Sequence, residues 1–165
     1  MNVNTIRNRS VWGLLVCTPV SWAEEPLAVD IKRLSLDTAL SIGRAAISEC
    51  RSRGIQISVI VIDRGGHTQV ALRDTVATDL TLRIAPQKAY AALSFNAPTS
   101  ELSARANSPL GKLDGLVMAA GGLPIQAGGE IYGAVGVSGA PSGTVDEACA
   151  AAGIKAVIDD LEMGL

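Results

Sequence analysis

His67 is the only histidine in the chain, so a Ser–His–Asp triad or a multi-histidine metal centre has little to start from. It follows Asp63-Arg64-Gly65-Gly66, a run of turn-forming residues. That position favours a solvated imidazole over a buried ligand. A single imidazole is nonetheless enough for an axial bond to a heme iron, which needs far fewer protein ligands than a zinc site. No nucleophile stands out, and Gly-x-Ser-x-Gly is missing. The carboxylates Asp63, Asp114, Glu130, Asp146 and Glu147 fall at turns and helix starts, where capping and solvation account for them. Thr99 and Glu101 likewise read as an N-cap and a favourable first-turn acid.

The densest glycine run, Gly121 to Gly143, invites comparison with a phosphate loop. Its spacing rules that out. Gly133-x-x-Gly136-x-x-Gly139 differs from Gly-x-Gly-x-x-Gly, lies within a strand pattern and has no Gly-Lys-Ser/Thr after it. The run reads as a hairpin with its turn at Gly128-Gly129, whose glycines admit something packed close against the backbone.

The elements that would position these residues follow from periodicity. Ser35 caps a helix whose apolar stripe is Leu36, Leu40, Gly43, Ile47 and Cys50, ended by Gly54. Ile55 to Ile62 is a Val/Ile-rich strand, and His67 to Leu72 returns as its hairpin partner. A helical pattern runs through Leu82, Ala89, Tyr90 and Leu93. Pro86 implies that this helix starts there or is kinked after a short turn. Leu116 to Ala119 reads as a fifth strand leading into the glycine hairpin. Thr144-x-x-Glu147 has the form of a capping box opening a last helix that runs to about Leu161. Five strands joined by hairpins, with flanking helices, make an α+β layer fold with an antiparallel sheet.

Length and composition bound the rest. At 165 residues the chain is one domain's worth. Apolar residues make up 48% but aromatics only 3%, which leaves no surface for stacking bases. Residues 1–23 read as a secretory signal: Arg7 and Arg9 precede the apolar stretch Val11–Cys17, and Ser21-Trp22-Ala23 suits a signal peptidase. Residues 24–33 then form an extended leader and 34–165 a single domain. Removing the signal leaves 12 basic against 16 acidic residues, about −4, which argues against a nucleic-acid partner. Cys50 and Cys149 each sit at an apolar helix position. An exported protein could join them, but a pair of buried thiols is the simpler reading.

Several stretches together resemble the GlcG/HbpS-like heme-binding protein family (DUF336), which includes the C-terminal domain of PduO-type corrinoid adenosyltransferases. They are Val61-Ile62-Asp63-Arg64-Gly65-Gly66-His67, Lys88-Ala89-Tyr90, Asn96-Ala97-Pro98-Thr99-Ser100-Glu101-Leu102, Gly121-Gly122-Leu123-Pro124-Ile125, and Gly136 to Gly143 with Asp146-Glu147. The resemblance implies a profilin-like, three-layer α/β/α fold and a homo-oligomer, from dimer to octamer. It implies heme as the ligand and a secreted or periplasmic location, with two alternatives: a small enzyme acting on heme or on a small organic acid, or an accessory module for a membrane sensor partner. Carried onto this chain, it makes His67 the metal ligand and Thr99 an alternative oxygen ligand. Glu101 would also border the cofactor, and Tyr90, Leu102 and Met118 are candidate wall residues that read more simply as ordinary core. Where some relatives carry an acidic pair before Lys88, this chain reads Arg83-Ile84-Ala85-Pro86-Gln87, which is unsuited to binding free iron.

Overall fold

The structure, a computed structural model, describes residues 26–164. The secretory-signal reading of 1–23 therefore lies outside the described residues, and 26–33 carry neither helix nor strand. Among the described residues no helix is long and apolar enough to cross a membrane.

Helix α1 (Leu36–Ser52) starts where Ser35 Oγ accepts the Thr38 N–H at 3.2 Å, with Asp37 in the first turn and Arg51 in the last. Its buried face is Ala39, Ile42, Gly43, Ala46 and Cys50. The stripe is thus rotated from the expected one: Leu36 stays exposed, while Leu40 and Ile47 are half-buried against the core. Strand β1 (Ser58–Asp63) turns through Arg64–Gly66 into β2 (Thr68–Arg73). Helix α2 (Asp79–Phe95) follows, then the single helical turn α3 (Thr99–Leu102). The glycine hairpin is β3 (Gly122–Ala127) and β4 (Glu130–Ser138), and the chain ends in α4 (Gly143–Lys155) and α5 (Ile158–Met163).

Among the described residues the sheet has four strands, in the order β2-β1-β4-β3, every neighbour antiparallel. It corrects the expected five. Residues 116–119 form no strand, because Val117 N–H bonds to the Gln87 carbonyl of α2 (3.4 Å) and Met118 packs with Ala91 and Leu102. Period-2 alternation in β1 divides two cores. Val59 and Val61 face α1 and α4 with Val135, Val137 and Ile125, whereas Ile60 and Ile62 meet Ala85, Ala89 and Ala92 of α2. The result is helix, sheet and helix in three layers.

The glycines of the hairpin let α2 lie directly on the sheet. A Cβ at Gly136 would stand 2.0 Å from the Ala85 carbonyl oxygen, and one at Gly122 would stand 2.3 Å from that of Lys88. On this close seat α2 runs as one 17-residue helix with Pro86 inside it, correcting the expected start there or a separate short turn before it. Its burial offsets the hydrogen bond that proline cannot make.

Two further expectations are corrected. Cys50 and Cys149, both fully buried, form a disulfide that ties α1 to α4 across 99 residues of sequence. The facing apolar stripes of the two helices bring the cysteines together, and spacing along the chain does not show that. The capping box does not form either. Ser142 is the N-cap residue of α4, Thr144 sits inside the helix, and Glu147 turns away to other partners. The helix also breaks at Ala156–Val157 before α5.

Candidate functional site

Two constellations of polar residues border α2. The first is the β1–β2 turn. Asp63 Oδ1 accepts the N–H groups of Gly65 (2.8 Å) and His67 (3.0 Å), folding the turn around a buried carboxylate. Burial pushes that carboxyl up, but the two backbone N–H groups, with help from Arg33 and His67, hold it below its ordinary value. The His67 side chain is 77% exposed, with Nδ1 3.3 Å from Asp63 Oδ1. Beside it the Tyr90 ring lies so close to Gly66 that a Cβ there would come within 2.8 Å of the ring.

Between this turn, α2 and β4 opens a cleft of about 290 Å³, lined by Arg64, Gly65, Tyr90, Leu93, Ser94 and Ile131. Tyr90, Leu93 and Ser94 share one helix face by their i, i+3, i+4 spacing. Arg64 borders the cleft on loose ties: Nη1 is 3.4 Å from the Ile131 carbonyl and 3.8 Å from Glu130 Oε2.

The second constellation is a closed polar knot between α2, α4 and the segments flanking the glycine hairpin. Lys88 Nζ donates to Asp146 Oδ2 (2.9 Å) and to the Val137 carbonyl (3.0 Å), while Asp146 Oδ1 accepts the Ala140 N–H (2.9 Å). Burial raises the Asp146 carboxyl above its ordinary value, against the opposing pull of the Lys88 hydrogen bond. Glu147 accepts from Ser100 Oγ (2.6 Å), Ser100 N–H (3.2 Å) and Gly121 N–H (3.1 Å). Thr99, fully buried, accepts the Gly122 N–H (2.8 Å) and donates to the Gly122 carbonyl (3.3 Å).

The four residues singled out from the sequence therefore divide. Tyr90 lines the cleft, whereas His67 sits exposed on the adjoining turn and is not among the cleft's lining residues. Thr99 lies in the knot with its hydroxyl engaged by backbone, and Glu101 is exposed on the first turn of α3. Leu102 and Met118 are core, packed with Ala91. Sequence reasoning missed Arg64 as a cleft residue and Lys88 as a buried cation. Lys88 carried a legible signal: it falls between Ala85 and Ala92 on the buried stripe of α2, where an unpaired lysine does not belong.

The model of the family described as haem degrading protein HbpS-like matches residues 34–155. Among curated proteins, a 15.0 kDa protein from the dhaT–dhaS intergenic region of Citrobacter freundii is 31% identical over 125 residues, covering 71% of this chain and 85% of its own length. Among solved structures, a double mutant of Streptomyces reticuli HbpS is 38% identical, with TM-score 0.75, covering 85% of this chain and 97% of that one. PduOC, solved as a heme complex, is 27% identical with TM-score 0.70, covering 75% and 94%. A Klebsiella pneumoniae protein, ORFY, at 23% identity and TM-score 0.75 over 81% and 97%, shares the fold.

Proposed function

The chain belongs to the HbpS-like family, and on that premise we propose that it binds heme at the cleft beside the β1–β2 turn. The observation that carries the reading is an exposed imidazole beside a cleft with an apolar wall, in a family named for heme chemistry. The donor set fits the group. His67 offers the axial nitrogen, and Asp63, 3.3 Å from Nδ1, orients the ring. Leu93, Ile131 and the Tyr90 ring supply the apolar wall. Bound heme would supply an iron centre able to bind a small ligand.

At about 290 Å³ the cleft is at the lower edge of ordinary ligand pockets, roughly 300–1,000 Å³. One chain therefore covers only part of a tetrapyrrole, which supports assembly into a homo-oligomer that covers the rest. The buried Cys50–Cys149 disulfide supports an oxidising, secreted or periplasmic location. A membrane sensor partner belongs to the same proposal, and pull-down from envelope extracts with and without heme checks it.

Hemin titration of the purified protein tests the reading. The expected result is a saturable Soret shift that loses its axial signature in His67→Ala, and no saturable shift in the wild type sinks the idea. The family description favours a second reading in which bound heme is also degraded. It predicts time-dependent loss of Soret absorbance, with release of iron, when a reductant and dioxygen are supplied.

A further inference from the structure

The cleft holds a cation that the fold grips only loosely. Arg64 follows the buried Asp63 in the turn, yet among the described residues its guanidinium makes no tight ion pair. Its contacts are 3.4 Å to a carbonyl and 3.8 Å to Glu130, and both side chains of that pair are nearly half exposed (43% and 48%). Arg51 shows what this chain does when an arginine serves the fold: Nε and Nη2 grip Asp74 at 2.7 and 2.5 Å, fork to carboxylate. Arg64 lines the cleft without such a grip, together with the hydroxyl-bearing residues Tyr90 and Ser94 and the apolar Leu93 and Ile131. One loosely held guanidinium in a cleft lined by both hydroxyl-bearing and apolar side chains suits an amphipathic ligand with an apolar body and a carboxylate.

We propose that Arg64 is a carboxylate anchor, gripping an acid group of the ligand while the apolar wall of the cleft takes the ligand's body. Under the heme reading, on which the identity of the ligand rests, that group is a porphyrin propionate. A small aryl or alkyl carboxylate presents the same chemistry. Glu130 holds the guanidinium weakly in the free protein and gives it up when the ligand's carboxylate forms a two-pronged contact.

The test compares wild type with Arg64→Gln by calorimetric titration against two matched pairs: hemin with hemin dimethyl ester, and 3-phenylpropionate with 3-phenylpropanamide. Thermal melting verifies that the variant is folded, since Arg64 is half exposed. The expected result is that Arg64→Gln weakens hemin by roughly ten- to a hundredfold, the loss of one charge-assisted hydrogen-bond pair. Ester affinity is expected to be the same in both proteins. If hemin and its ester weaken equally, or if neither changes, Arg64 is no carboxylate anchor, although the heme reading stands. If hemin binds neither protein while phenylpropionate binds wild type and loses that binding in Arg64→Gln, the anchor stands and the heme reading falls. If neither carboxylate binds, both fall.

Discussion

The turn cleft and the polar knot are built on the same helix, with Lys88 two residues before Tyr90 and six before Ser94, yet they differ in almost every physical respect. The knot is closed: Lys88, Asp146 and Thr99 are each less than 5% exposed, and every polar atom named there has a partner. The cleft is open, with a largely exposed imidazole, a half-exposed tyrosine and an arginine on long contacts. A satisfied buried network rigidifies a fold. An unsatisfied exposed set is what a ligand can still use. The motifs that made the family legible fall mostly in the knot, so they describe how the domain is held together more than where its ligand lies.

Substitutions that attack the knot are the strongest way to break this contrast. Asp146→Ala takes away the acceptor of both the Lys88 ammonium and the Ala140 N–H and is expected to destabilise the protein by about 3–5 kcal/mol, read as a lower denaturant midpoint. Replacing Cys50 and Cys149 together by alanine releases a constraint on a long loop and is expected to cost about 2–5 kcal/mol. Reductant should then lower the melting temperature of the wild type and not of the double variant. Gly136→Ala forces a methyl group against the Ala85 carbonyl and is expected to cost about 1–3 kcal/mol by overpacking, through displacement of α2.

Acidification separates the two regions by sign. The folded Asp63 carboxyl lies below its ordinary value, so its contribution is fully present above about pH 4 and is lost as pH falls through the lowered value. Asp146 lies above its ordinary value, so its contribution is present at low pH and is lost as pH rises through the raised value. Denaturation at pH 7 and at pH 3.5 should therefore show a smaller acid loss in Asp63→Asn than in wild type. The smallest effect is expected at the cleft rim, where Glu130→Gln should change stability by under about 1 kcal/mol, as for exposed pairs generally.

Both hairpins were legible in the sequence because their turns carry unambiguous chemistry, Asp-Arg-Gly-Gly and Gly-Gly, between β-branched runs. The fifth strand was not, because Leu116–Ala119 is apolar enough for a strand but spends its backbone on α2. Thr144-x-x-Glu147 satisfied a local pattern while Glu147 was claimed by Ser100 and Gly121, partners distant in sequence. The disulfide and the Lys88–Asp146 pair have the same character: each joins residues far apart along the chain, and only packing brings them together. His67 and Tyr90 could be named from sequence, but that the Tyr90 ring packs on the turn that carries His67 is a property of how α2 crosses the first hairpin.

The division between a structural knot and a binding cleft is tested most directly by one Soret titration run on wild type, His67→Ala and Thr99→Val, with melting temperature recorded on the same samples. The account predicts that His67→Ala melts as wild type but loses the axial signature of bound hemin. Thr99→Val, which orphans the Gly122 N–H, should melt lower and keep the wild-type spectrum. A Thr99→Val protein that stays stable but loses the spectrum, beside a His67→Ala protein that retains it, would place the ligand in the knot and contradict the account.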